Sequence, residues 1–200
     1  MKAEQIKQLD DLLEEFVGCF NASTLVEVSR ECGVVGEYEG ELVRRRDTPK
    51  FALDKLYSEL HSRFPPLYER LVLTYRWHRS EVSVVDLFND CPGQNSFDLF
   101  GNPPGESLDG LHTELFRDPG LFETCLPHGY IQFASGPNGH YDPICFDTSR
   151  KNSEQDCAIV HLDHEEILCN SKIRVIQTIA PNFESLAATA ISALRQAKNT

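Results

Sequence analysis

The apolar residues of this chain change their period twice along its length, and that change is what limits the folds open to it. Ile6, Leu9, Leu12, Leu13, Phe16, Val17 and Phe20 recur at steps of three and four, the spacing of an amphipathic helix that must pack on something. From Gly129 onward the pattern is different. Short runs, Tyr130 to Ala134, Ile144 to Phe146, Cys157 to Leu162 and Ile173 to Ile179, are bracketed by turn clusters, of which Gly136-Pro137-Asn138-Gly139 is the strongest. After Pro181 the helical spacing returns through Phe183, Leu186, Ala187, Ala190, Ile191 and Leu194. Helices first, strands later and a closing helix predict an α+β fold rather than alternating βαβ units.

Gly33, Gly36 and Gly40, with the polar run up to Thr48, read as a connection that divides the chain into an N-terminal helical region, 1–40, and an α+β domain, 41–200. Arg44, Arg45 and Arg46 fall in that connection and read as a solvated loop. Thr48 before Pro49 fits a helix start, followed by an apolar stripe of Phe51, Leu53, Leu56, Tyr57 and Leu60. Pro65 and Pro66 end that helix and open another bearing Leu67, Leu71, Val72 and Tyr75. Trp77 sits at a junction between elements, where it can anchor the core or present an aromatic to a partner. Val82, Val84, Val85, Leu87 and Phe88 predict a strand. Cys91 to Gly105 predicts an irregular loop, and Ser107 a cap on a short helix carrying Leu108, Leu111, Leu115 and Phe116 and stopped by Pro119.

Composition narrows the function. A chain of 200 residues suits one substantial domain, since single domains hold about 100 to 200. The longest apolar run is four residues, Cys157 to Val160, against the ~18 that suggest a membrane span, and Met1 to Leu13 is too charged for a secretory leader. Seven cysteines, an odd number with no two closer than 12 positions, give no disulfide framework and no CxxC unit, so reduced thiols and a cytoplasmic location are expected. The net charge of -12 repels phosphate backbones and anionic lipid, which argues against nucleic acid and membrane as partners. From Cys91 to Asn170 there are 13 acidic and 3 basic residues, a stretch that would attract a basic protein surface or serve as a solvated acidic face.

The residues that carry chemistry do not assemble in the sequence. His161-Leu162-Asp163-His164 offers three ligand types, with Asp142 and Asp147 near if the strands pair. Strand alternation would nonetheless send His161 and Asp163 to one face and His164 to the other, so convergence on a metal requires a turn. His164-Glu165-Glu166-Ile167-Leu168 begins like the zinc helix HExxH but ends on leucine. Cys125 with His128 is the nearest approach to an activated thiol, Gly105-x-Ser107-x-x-Gly110 is one residue too long for a hydrolase elbow, and no phosphate-cradling glycine loop is present. No catalytic residue, metal or cofactor is assigned. Tyr141, Asp142, Asp147, Asp163, Glu165 and Glu166, with Trp77, are expected to form a surface that recognises a basic, partly apolar protein face.

The stretch from Phe64 to Leu186 resembles the SUKH superfamily, which includes yeast cell-wall assembly regulators and many bacterial immunity proteins. Phe64-Pro65-Pro66-Leu67-Tyr68-Glu69-Arg70-Leu71-Val72-Leu73-Thr74-Tyr75 is similar to its opening helix, although Arg76-Trp77 stands where the family commonly has Asn-Gly. Gly129 to Ala134 and Tyr141 to Asp147 look like its central strand pair. Val160 to Glu165 looks like the next strand with its acidic ending, and Asn182 to Leu186 like the closing helix. The insertion from Asp86 to Leu126 and the N-terminal region depart from the compact form of the family. The resemblance implies a twisted, mostly antiparallel sheet flanked by helices, no catalytic residues, and a protein-binding surface, typically one that neutralises a toxin inside the cell that makes it. Two other readings stay open: a regulatory or scaffold module of the same fold, and an enzyme with a cysteine or metal centre among Cys125, His128, His161, Asp163 and His164.

Overall fold

Two adjacent prolines set the direction of the segment around which the core is built. Pro66 lies in the first turn of helix α3 (Pro66–Thr74), where its missing N–H needs no partner, and Leu67, Tyr68, Leu71 and Val72 of that helix are buried. The computed structural model describes residues 3–31, 43–77, 108–135, 141–150 and 156–197. Among them are six further helices: α1 (Ala3–Glu31), α2 (Asp54–Leu60), α4 (Leu108–Leu115), α5 (Pro119–Cys125), α6 (His164–Asn170) and α7 (Phe183–Ala197). Strands β1 (Val43–Arg45) and β2 (Tyr75–Trp77) form a small ladder, while β3 (Tyr130–Ser135), β4 (Pro143–Asp147), β5 (Ala158–Leu162) and β6 (Val175–Ala180) form a four-stranded sheet in that order. Every pairing is antiparallel, and the fold is α+β.

Strand alternation divides the sheet between two apolar clusters. Ile131, Phe133, Ile144, Phe146 and Ile159 join the larger one, shared with Leu13 and Phe16 of α1, Tyr68 of α3 and Phe183 of α7. Cys145, Val160 and Leu162 face the smaller one with Leu121 and Cys125 of α5 and Ile167 of α6. The result is three layers, with the sheet in the middle. At the centre, the rings of Phe133 and Phe146 stack at 4.1 Å, and Tyr68 meets Phe146 at 5.0 Å and Phe183 at 5.2 Å edge-on. Burying one such ring contributes about 1.5–3 kcal/mol. The register shift between Gln132 and Ala134 leaves Phe133 without a partner across the ladder, so Phe133 and Ala134 both lie in the larger cluster.

Several elements differ from the sequence reading. Arg44 and Arg45 are not in a loop: β1 pairs with β2, Val43 opposite Trp77, and the buried Asn21 amide bonds both the N–H and the carbonyl of Val43 at 3.0 Å. Pro119 does more than stop α4, because it occupies the first turn of α5 behind an Asp118 cap that accepts from the Gly120 and Leu121 N–H groups. The strand expected to run through Ile173 starts at Val175. The Gly33–Gly40 connection, the strand at Val82–Phe88, the loop at Cys91–Gly105, the Ser107 cap and the turn at Gly136–Gly139 lie outside the described residues. Gly129, at φ 81°, enters β3 in the left-handed conformation, and a Cβ there would meet the Ser149 backbone N at 3.0 Å.

Candidate functional site

The β4–β5 register puts Ile144 opposite His161, so the residues just before β4 and just after β5 emerge at the same end of the sheet. Tyr141 and Asp142 come from the first, Asp163 to Glu166 from the second. Asp163 follows the last residue of β5 and caps α6: its Oδ1 accepts from the Glu165 and Glu166 N–H groups at 3.0 and 3.1 Å, and Arg174 Nη1 donates to its Oδ2 at 3.1 Å. That cap is the turn that strand alternation alone did not supply. It brings His164 round to the side of His161, and both imidazoles meet Asp142.

The separation of the two histidines onto opposite faces, expected for a continuous strand, is therefore overturned. His161 Nε2 lies 3.0 Å from Asp142 Oδ2, and His164 Nδ1 lies 2.6 Å from Oδ1, which also accepts from the His164 backbone N–H at 3.1 Å. Burial would raise the Asp142 carboxyl, but the side-chain and backbone bonds from His164 and the bond from His161 together outweigh it and hold the carboxyl below its ordinary range. The arrangement is a clasp that fixes the β4 approach to the N-terminus of α6. The sequence signal that could have revealed it is Asp163 followed three residues later by Glu166, a helix-start pattern overridden by the apolar run ahead of it.

The expected surface residues separate into two groups. Tyr141 is 66% exposed, with its ring 6.0 Å from that of His164. Glu165, in the first turn of α6, is exposed, and Glu166, half-buried, accepts from Asn170 Nδ2 at 3.1 Å. Asp147 does not belong to this face: it is 7% exposed, and its Oδ1 accepts from the Ser149 N–H and hydroxyl at 3.1 and 2.5 Å. Asp163 is engaged in capping α6. Trp77 is tied through its backbone to Val43, and its side chain lies outside the described residues.

Cys125 and His128, the nearest approach to an activated thiol in the sequence, have other hydrogen-bond partners. His128 Nδ1 lies 2.8 Å from the Thr124 carbonyl, and the buried Cys125 thiol hydrogen-bonds to Cys145, whose own thiol burial pushes well up. A cavity of about 10 Å³ lined by Leu60, Leu115, Leu121, Cys125 and Tyr130 has room for roughly one water, not for a substrate. Asp142, His161 and His164 are ligand types, but among the described residues no group of three or more His, Cys, Asp or Glu side chains is disposed to hold a metal ion. Among those residues, too, no helix is long and apolar enough to cross a membrane. No protein-family model, curated protein or solved structure matches the chain.

Proposed function

We propose that this chain is a non-enzymatic protein-binding domain, an immunity protein of the SUKH type that neutralises a toxin with a basic surface in the cytoplasm of the cell that makes it. The observation that carries this reading is the face around Tyr141: a largely exposed aromatic set beside carboxylates whose scaffold is pinned by the Asp142 clasp. A flat aromatic held in place loses little conformational freedom on binding and is the residue type that anchors interfaces. The acidic neighbours, Glu165 and Glu166, supply the rim that selects and steers a cationic partner. The excess of acid between Cys91 and Asn170 extends that field.

The test is capture with the tagged full chain, identification of the bound protein by mass spectrometry, and titration of the purified pair. Tyr141→Ala is expected to weaken binding by about 2 kcal/mol, as for an anchor residue. Glu165→Lys is expected to slow association and flatten its salt dependence. Asp163→Lys is unsuitable, because it would undo the α6 cap as well as the charge. Unchanged affinity in both Tyr141→Ala and Glu165→Lys would exclude this face as the contact.

A further inference from the structure

Two free cysteines meet inside the smaller apolar cluster. Cys125 is the last residue of α5 and Cys145 the middle residue of β4, and their thiols hydrogen-bond to each other. Cys145 is held in place from both sides of the ladder, opposite Gln132 on β3 and Val160 on β5. Apolar packing alone does not call for two thiols in contact, since each behaves there as a small hydrophobe. A contacting pair, however, needs only to close up to the roughly 2.05 Å of a disulfide. The two sulfurs are not equivalent. Burial pushes the Cys145 thiol well up, whereas the hydrogen bond from Cys145 lowers Cys125, so Cys125 ionises first and is the better nucleophile. Cys125 also lines the cavity of about 10 Å³ beside α5, which gives a molecule little larger than water a place next to it.

We propose that Cys125 and Cys145 are a redox modification site: hydrogen peroxide converts them to a reversible disulfide that ties α5 to β4. The Cys125 sulfur attacks one peroxide oxygen and the O–O bond breaks. The departing hydroxide leaves as water with the thiol's proton, and Cys125 becomes a sulfenic acid. The Cys145 sulfur then attacks the Cys125 sulfur, the S–O bond breaks, and the hydroxide released takes the Cys145 proton as a second water. In total two thiols give up two electrons and one peroxide is reduced to two waters. A small thiol returns the pair to its reduced state by exchange. The bond closes the stretch from Cys125 to Cys145, which contains β3, and restrains the unfolded chain, so the oxidised protein resists urea better than the reduced one.

Trypsin releases the segment from Asp118 to Arg150 as one peptide, and Cys125 and Cys145 are its only cysteines, so the bond is read within a single species. The folded full chain is treated with a small molar excess of hydrogen peroxide, alkylated with iodoacetamide under denaturing conditions and digested without reduction. This peptide is expected unalkylated and lighter by two hydrogens, dithiothreitol is expected to restore two alkylatable thiols, and the urea midpoint is expected to rise on oxidation. Cys145→Ser, which keeps a donor beside Cys125, should leave a sulfenic acid at Cys125 that dimedone captures. Cys169→Ala removes the exposed thiol and should leave the rate of bond formation unchanged. A doubly alkylated peptide from peroxide-treated, folded wild type overturns the proposal, and that result does not depend on any variant folding. A bond from Cys125 or Cys145 to another cysteine overturns it too, as does one that forms only after urea has unfolded the chain. These readouts need no toxin partner and are independent of the Tyr141 face.

Discussion

Replacing Asp142 by asparagine tests whether the clasp holds the candidate face together. The carboxylate accepts three hydrogen bonds, from His161 Nε2, His164 Nδ1 and the His164 N–H. Bonds to a charged group contribute about 1.5–3 kcal/mol each when buried. Here the side chains are 22%, 16% and 27% exposed for Asp142, His161 and His164, so water competes and the lower end applies. Asparagine keeps one acceptor oxygen but loses the charge and turns an NH2 toward one imidazole. The expected loss is about 2 kcal/mol near neutral pH, read by urea unfolding followed by far-UV circular dichroism. The pH dependence gives a second check. The folded carboxyl is held below its unfolded value, so its stabilisation is complete above an unfolded pKa of about 3.9 and drains away as pH falls through the folded value. The gap between wild type and Asp142→Asn should therefore close below about pH 4. A gap below about 0.5 kcal/mol near pH 7, or one of the same size near pH 3, would refute the reasoning.

Two further substitutions probe the scaffold. Asp163→Ala removes the α6 cap, worth about 1 kcal/mol, together with an exposed ion pair to Arg174 worth less; loss of about 1.5 kcal/mol and faster amide exchange from Glu165 to Ile167 are expected, and unchanged exchange would deny the capping role. The Tyr68 hydroxyl is buried and, among the described residues, has no hydrogen-bond partner, so Tyr68→Phe should leave stability unchanged or raise it by up to about 1 kcal/mol; a clear loss in urea unfolding would reveal a partner for the hydroxyl.

Burial periodicity explains which elements were legible. In α1, Leu9, Leu13, Phe16, Val17 and Phe20 are all buried, and in α7 Phe183, Leu186, Ala187, Ala190, Ile191 and Leu194 are, so the stripe in the sequence is the face in the fold. The strands β3 to β6 were found because turns bound them. The helices α5 and α6, at seven residues each, are too short to develop a stripe, and only their Asp118 and Asp163 caps announce them. The β1–β2 ladder was invisible for another reason. Two three-residue strands 30 positions apart, Arg45 to Tyr75, are paired by tertiary context, and neither Val-Arg-Arg nor Tyr-Arg-Trp carries a local signal for it.

The candidate face was legible as charge but not as geometry, because its geometry is a consequence of register. Five carboxylates and two aromatics look alike on paper, yet the fold buries Asp147 against Ser149, assigns Asp163 to a cap and leaves Tyr141 and Glu165 outside. Asp142 reaches both histidines because Ile144 is opposite His161 in the ladder and because β5 stops at Leu162. A slip of β5 by one position would turn His161 to the opposite face of the sheet and take Ile159 out of the larger core with it. The apolar burial that fixes the sheet is thus what fixes the clasp, and a change that loosens the Phe133–Phe146 stack should loosen the Tyr141 face from a distance.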